Sequence, residues 1–249
     1  MRIKLVLNSE KNFISLPIHH NEIIQAMLYK SLPSSIAKYL HDTGFFFNGR
    51  KFKLFTFSKI YTEKFIIKDE EIFYKTPITI FISSAIEDIG LNWGENFLKK
   101  DIVNLGKNKL FLEEIQILKK PDLKETNIIK TLSPITVYKT LTKDGKKFTQ
   151  YYRPTDLEFK QLIKENIKKK YSILTGMNID DFEFDIKLIS KFREVPLKYK
   201  NFFIKGIEGK FKINIDPVIF NAIYDSGLGA KNSQGFGMIE IINTKNSVV

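Results

Sequence analysis

The feature of this 249-residue sequence that most restricts its fold is an order of predicted elements that occurs twice. In the first half, the alternating segment RIKLVL predicts a strand, and residues 21–40 predict two short helices separated by Pro33. Segments rich in aromatic and β-branched residues follow, and then a helix at 84–101 and a strand at 110–118. This is the order of a ferredoxin-like βαββαβ unit.

A second set of elements in the same order follows KKPDLKETN (119–127), a polar segment that predicts a linker. It comprises a strand at 133–141, a helix at 155–174, a strand at 181–192, a strand pair or one long strand at 201–215, a helix at 217–226 and a strand at 236–242. Thr155 or Asp156 is the expected N-cap of the long helix. We therefore predict an α+β protein with two ferredoxin-like domains side by side, residues 1–122 and 123–249, without sequence repetition between them.

The charge of the chain indicates a polyanionic partner. Forty Lys and Arg residues against 28 Asp and Glu give a net charge of +12. Only four of the cations are arginine, which favours contacts with phosphates and nucleic-acid shape over reading of guanine edges. The sequence has no long apolar run, signal peptide or lipidation motif, so we expect a soluble, cytoplasmic protein that does not bind membranes.

The sequence offers few metal ligands. It has no cysteine, and its three histidines, His19, His20 and His41, stand at two places, so we expect neither a metal nor another cofactor. His41 lies near the predicted end of a helix, where the macrodipole favours a cation and proton transfer is feasible. A histidine at such a position is also commonly a helix cap, so this alternative stays open.

RNA can be cut without a metal when the ribose 2′-hydroxyl attacks the adjacent phosphate. This reaction needs a general base, a proton for the departing 5′ oxygen, and positive charge near the phosphorane. His, Tyr and Lys side chains can supply all three. Tyr29 precedes His41 across the Pro33 break, and Arg50, Lys51 and Lys53 follow it.

The segment GLGAKNSQGFGMIEI (227–241) holds four glycines, Gly227, Gly229, Gly235 and Gly237. Their spacing fits neither a Walker loop nor a dinucleotide fingerprint. The order of a helix, a glycine-rich loop and a strand favours the binding of an extended polyanion across the protein surface. The alternative is that the loop is a plain surface turn. SKFREVPLKYK (190–200) predicts a basic hairpin around Pro196 with Lys191, Arg193, Lys198 and Lys200, which either binds RNA or is a solvated turn.

The segments MLYKSL, YLHDTG, KLFTFS, LSPITV and GLGAKNSQGFGMIEI occur in this order along the whole chain. Together they resemble the CRISPR-associated endoribonuclease family that processes precursor CRISPR RNA within its repeats, part of the repeat-associated ferredoxin-like superfamily. The resemblance implies two ferredoxin-like domains, cleavage without metal and a 2′,3′-cyclic phosphate product. In one branch of the family a Tyr, a His and a Lys form the active site, and the matching positions are Tyr29, His41 and Lys53. Lys51 is an alternative to Lys53, because TGFFFNGRKF blurs the match.

The expected partner is CRISPR repeat RNA, together with other CRISPR-associated effector subunits, and the chain is expected to be a monomer or a homodimer. The residues expected to contact RNA are Arg50, Lys51, Lys191, Arg193, Gly227, Gly229, Lys231, Asn232, Ser233, Gln234, Gly235 and Gly237. The glycine segment is expected to bind RNA and not to catalyse. Since some relatives bind the repeat without cutting it, a non-catalytic RNA-binding subunit is the second hypothesis, and a general RNA-binding module is a third.

Overall fold

The computed structural model describes residues 1–242, which form two α+β domains joined by an irregular segment at 119–125. The elements of the first domain are β1 (Arg2–Asn8), β2 (Phe13–Pro17), α1 (Asn21–Lys30), α2 (Ser34–Asp42), β3 (Phe45–Phe47), β4 (Arg50–Phe52), β5 (Phe55–Phe57), β6 (Phe65–Lys68), β7 (Glu71–Lys75), β8 (Ile78–Ser84), α3 (Glu87–Leu98), β9 (Val103–Leu105) and β10 (Asn108–Leu118). Those of the second are β11 (Thr126–Thr131), β12 (Tyr138–Lys143), β13 (Lys146–Tyr151), α4 (Leu157–Thr175), β14 (Phe184–Leu188), β15 (Arg193–Tyr199), β16 (Phe202–Glu208), β17 (Lys210–Ile215), α5 (Pro217–Ile223) and β18 (Ile239–Ile241).

Each domain is built on an antiparallel sheet with the ferredoxin-like strand order. In the first domain the order is β5-β8-β1-β10-β9, and in the second it is β14-β17-β11-β18. The first strand of each βαββαβ unit therefore lies between the third and fourth strands of that unit. This confirms the predicted tandem ferredoxin-like fold. The predicted boundary at 122/123 falls within the irregular segment and stays a prediction.

The helices cover one face of each sheet because their apolar residues recur at helical spacing. In α1, Ile24, Met27 and Leu28 are buried against the first sheet. In α4, Ile163 and Ile167 lie one turn apart and are buried against the second sheet. Among the described residues, no helix is both long and apolar enough to cross a bilayer.

The predicted strand at 133–141 is wrong in position. The first strand of the second domain is β11 (126–131), whose first two residues lie in the predicted linker and whose other residues were assigned to no element. Residues 138–143 form the first strand of a separate hairpin, β12–β13. The intervening residues are buried, which explains their strand-like composition. However, Pro134 has no N–H to donate to a ladder, and Ile135 bonds with Ile207 instead, at 2.9 and 2.8 Å.

The predicted hairpin at 190–200 is also corrected. This segment forms a single strand, β15, which pairs with β16 so that the chain reverses at Lys200 and not at Pro196. Pro196 is tolerated because β15 pairs on one side only in this two-stranded sheet. Asp156 does stand at the N-cap of α4, but its carboxylate accepts from the Arg153 amide at 2.6 Å and bonds no amide of the helix.

Candidate functional site

The end of α2 presents His41 to solvent. Leu40 is fully buried and fixes the last turn, whereas the His41 side chain is 80% exposed. The helix stops because the amides of Thr43 and Gly44 both donate to the Tyr39 oxygen, at 2.9 and 2.7 Å, and Gly44 adopts a φ of +62°. A Cβ at Gly44 would lie 2.7 Å from the Phe52 oxygen, so only glycine fits this turn.

Tyr29 projects from α1 beside the imidazole of His41. The two rings are perpendicular, with centroids 6.5 Å apart, and the phenol ring also packs edge-on against Phe55 at 5.9 Å. Burial, with a smaller contribution from the neighbouring Tyr199, raises the pKa of Tyr29 to about 12. The phenol is therefore protonated at neutral pH and can donate a hydrogen bond, but it cannot act as a resting base.

Two lysines reach the same helix end, Lys51 from β4 and Lys53 from the residue that follows β4. Lys53 donates from Nζ to the His41 oxygen at 3.0 Å, and Lys51 donates to the Asp42 oxygen at 2.5 Å. Burial, followed by the nearby charge of Lys51, lowers the pKa of Lys53. The structure thus brings Tyr29, His41 and Lys53 together at the end of α2.

Asp42 is a neighbour that the sequence reasoning missed. Its Oδ1 lies 2.8 Å from Nδ1 of His41, and this hydrogen bond is the main cause that holds the pKa of Asp42 below its usual range. Because Nδ1 is bonded to the carboxylate, Nε2 is the ring nitrogen available to a substrate. The signal was visible in the sequence, since the two residues are adjacent.

Positive charge extends from this helix end to the second domain. Arg50 on β4 is exposed, and its charge is one of the causes, after burial, that lower the pKa of Lys169 on α4. Both side chains line the same small cleft, together with Tyr138 and Gly229. The cleft therefore holds two cations, one from each domain, and one carboxylate, that of Glu165.

The glycine loop, residues 227–238, lies between the domains with its four glycines buried. Its main-chain oxygens at Phe236 and Gln234 accept hydrogen bonds from Thr56 Oγ1 at 2.9 Å and Asn21 Nδ2 at 2.8 Å. The amides of Gly235 and Gly237 donate within the second domain, to the oxygens of Asn232 and Pro134.

Close packing explains why two of these positions are glycine. A Cβ at Gly235 would lie 2.5 Å from the Phe57 ring, and one at Gly237 would lie 1.9 Å from the Leu228 oxygen. Packing against the first domain thus requires glycine at 235, and packing within the loop itself requires glycine at 237. The sequence reasoning did not foresee either role. RNA contact by the loop stays a prediction. Lys231, Ser233 and Gln234 are half-buried, so part of each residue is accessible to RNA.

Lys170 on α4 binds the glycine loop through hydrogen bonds. This fully buried ammonium donates to the oxygens of Gly227 (2.6 Å) and Gly229 (3.2 Å) and to Oδ1 of Asn232 (2.7 Å). Asn232 in turn donates from Nδ2 to the Leu228 and Phe236 oxygens, both at 3.0 Å. Asn232 therefore braces the loop from inside, and its amide group is occupied by protein contacts.

The two remaining predicted RNA contacts, Lys191 and Arg193, lie at the start of the β15–β16 hairpin or just before it. Arg193 pairs with Glu208 at 2.8 Å and lines an inter-domain groove of about 660 Å³ with His19 and Tyr61, while Lys191 is exposed just before the strand. Among the contacts of residues 1–242, neither cation touches Tyr29, His41 or Lys53.

Comparison with known proteins covers nearly the whole chain. Residues 15–116 match the family model described as CRISPR-associated protein Cas6, N-terminal, and residues 118–241 match the model described as CRISPR associated protein Cas6, C-terminal. The CRISPR-associated endoribonuclease Cas6 1 of Methanocaldococcus jannaschii is 34% identical over 99% of this chain and 94% of its own length.

Two solved structures are similar over almost their full length. One comes from the characterization of a Cas6-related gene from Pyrococcus furiosus, with a TM-score of 0.85, 26% identity, and coverage of 98% of this chain and 99% of that one. The other is described as an RAMP protein binding different RNA substrates, with a TM-score of 0.83, 27% identity, and coverage of 97% and 99%.

Proposed function

Because the chain belongs to the Cas6 family of CRISPR-associated proteins, we propose that it is an endoribonuclease that cleaves CRISPR repeat RNA without a metal ion. The observation that carries this proposal is the convergence of three groups at one helix end. The Tyr29 and His41 rings lie 6.5 Å apart, and the Lys53 ammonium lies 3.0 Å from the His41 oxygen.

In the proposed reaction, the ribose 2′ oxygen forms a bond to the adjacent phosphorus and the bond from phosphorus to the 5′ oxygen breaks. The 2′-hydroxyl proton leaves to a base, and a proton reaches the departing 5′ oxygen, so the products are a 2′,3′-cyclic phosphate and a 5′-hydroxyl. His41 carries one of these proton transfers through Nε2. Tyr29 remains a proton-bearing donor at neutral pH because of its raised pKa.

Lys53 is proposed to stabilise negative charge on the phosphorane. Its ammonium has three N–H groups, one of which bonds the His41 oxygen, so two remain for phosphate oxygens. Within residues 1–242, no three His, Asp or Glu side chains come together as potential metal ligands.

The test is cleavage of the repeat RNA from the genome that encodes this chain, in buffer with EDTA. We expect a product with a 2′,3′-cyclic phosphate, no cleavage when the nucleotide before the cut is 2′-deoxy, and a loss of about 10²-fold or more in His41→Ala. His19→Ala is the matched histidine variant. Because His19 lines the inter-domain groove with Arg193, both variants are compared in single-turnover assays at saturating protein, where a weaker RNA affinity does not lower the rate. Full cleavage by His41→Ala would contradict the proposed role of His41.

A non-catalytic RNA-binding subunit of a CRISPR ribonucleoprotein is the alternative function. One of the similar structures is described as an RAMP protein binding different RNA substrates. That description favours retaining RNA binding without cleavage as an alternative. Both functions predict salt-sensitive RNA binding. If the purified protein binds repeat RNA tightly yet forms no cyclic-phosphate product, the alternative is correct.

A further inference from the structure

A groove of about 740 Å³ separates two hairpins of the second domain, β12–β13 and β15–β16. We call it the aromatic groove and define it by Tyr138, Tyr151, Tyr199, Lys200, Phe202 and Lys231. Neither hairpin belongs to the four-stranded sheet, so both are additions to the basic fold. None of the residues that line the groove is Asp or Glu.

Aromatic rings stand on both sides of this groove. Tyr138 and Tyr151 face each other across the β12–β13 pair, with ring centroids 5.9 Å apart. On the other side, Phe202 follows the turn of β15–β16, and 74% of its surface is exposed. A phenylalanine this exposed gains little from burial in the folded chain, so its ring is free to stack on a ligand.

Cations accompany these rings. Lys231 places its Nζ 5.1 Å from the centre of the Tyr138 ring, and Lys200 lies at the hairpin turn beside Phe202. Among the ion pairs of the described chain, none involves either lysine. Flat rings with unpaired ammonium groups between them match a chain of bases joined by phosphates.

The aromatic groove is connected to the candidate active site through Tyr199. The hydroxyl of Tyr199 donates to Oε1 of Gln25, which lies one helical turn before Tyr29 on α1. Tyr199 is also close enough to Tyr29 to contribute to its raised pKa. A strand of RNA in the groove would therefore pass next to the phenol of Tyr29.

We propose that the aromatic groove binds unpaired nucleotides of the substrate RNA next to the cleavage site, with a base stacked on Phe202. Lys200 and Lys231 bind the phosphates that flank the stacked base. The inference rests on the proposed function for the identity of the substrate, but it adds a requirement: the nucleotides held here must be single-stranded, because base faces within a duplex are covered by their neighbours.

The test is a binding measurement with repeat RNA that carries a 2′-deoxy nucleotide at the cut, so that binding is read without cleavage. We expect Phe202→Ala to raise the Kd about tenfold, Phe202→Leu to raise it similarly, and Phe202→Tyr to leave it within about twofold. Phe111→Ala is the matched control, since Phe111 is an exposed ring (42%) on β10 of the first domain and its loss should not change the Kd.

An abasic scan of the same RNA then identifies the stacked base. We expect one position where removal of the base weakens wild-type binding about tenfold but has no further effect in Phe202→Ala. An unchanged Kd for Phe202→Ala, or full binding by Phe202→Leu, would overturn the proposal. Absence of cleavage by the wild-type protein would instead contradict the proposed function, and the binding result would still stand.

Discussion

Lys53 donates a hydrogen bond from Nζ to the main-chain oxygen of His41 at 3.0 Å, and so the candidate lysine is fixed to the residue that carries the candidate imidazole. Lys51 bonds the next oxygen, that of Asp42, at 2.5 Å. The last carbonyl groups of a helix have no partner within the helix, and these two ammonium groups supply partners. Each lysine thus has a structural role at the end of α2. A comparison of variants at the two lysines separates a catalytic effect from the loss of this structural role.

We predict that Lys53→Ala lowers the single-turnover cleavage rate by about 10²-fold or more, because the phosphorane loses a charged donor. Lys51→Ala is the matched control: it removes the same kind of helix contact but from a more exposed side chain. We expect its rate to fall by less than about tenfold. Thermal melts should show similar small losses in both, and equal rates in the two variants would contradict the assignment of Lys53.

Asp42→Asn tests whether the carboxylate orients His41. The asparagine keeps the shape of the side chain but removes the charge that lies 2.8 Å from Nδ1. We expect a cleavage rate lower by less than about tenfold, since both side chains are exposed, with RNA affinity unchanged. Asp69→Asn, at an exposed turn residue that pairs with Lys68, serves as the control. A rate equal to that of the wild type would remove Asp42 from the mechanism.

Tyr29→Phe tests the phenol as a donor. Because the pKa of Tyr29 is raised to about 12, the phenol keeps its proton throughout the neutral range. We therefore expect the variant to lose about tenfold to 10²-fold in rate while the shape of the pH–rate profile between pH 6 and 9 stays the same. Tyr39→Phe, on an exposed ring of α2 that packs on Phe45, should have no effect.

Local signals in the sequence predicted much of this site, and long-range packing accounts for what they missed. Pro33 and Gly44 marked the ends of α2 and so located His41 correctly. Position 170 falls on the apolar stripe of α4, three residues after Ile167, which is a signal that Lys170 points inward. The neighbouring lysines at 168 and 169 hid that signal, because a run of charges usually marks a solvated face.

The close packing of the glycine segment was likewise not visible in local sequence signals, and it leads to a prediction about stability. Gly237 and Gly49 share a φ of +77°, but a Cβ would lie 1.9 Å from the Leu228 oxygen at Gly237 and would meet nothing within 4 Å at Gly49. We expect Gly49→Ala to lower the free energy of unfolding by about 1 kcal/mol and Gly237→Ala by about 3 kcal/mol or more. Chemical denaturation measures both, and equal losses would show that conformation, not packing, dominates.

Lys170→Met tests the buried ammonium beneath the glycine loop. Burial lowers the pKa of Lys170 to about 7, whereas in the unfolded chain it is close to 10.5. Between these values the unfolded state binds more protons than the folded state, so this residue makes the wild-type protein more stable as the pH rises from 7 to 10. The methionine variant lacks this contribution. The difference in unfolding free energy, wild type minus variant, should therefore increase over that range by a few kcal/mol, on the order set by the shift.

Urea denaturation at a series of pH values measures this difference and cancels other groups that titrate in the same range. Lys168→Met is the matched control, because it removes a lysine from the same helix whose side chain bonds the Asp180 oxygen near the surface. Three acceptors surround the Lys170 ammonium, and hydrogen bonds to a charged form favour it. A difference that does not change with pH would therefore mean that these three bonds offset the cost of burial and keep Lys170 charged throughout.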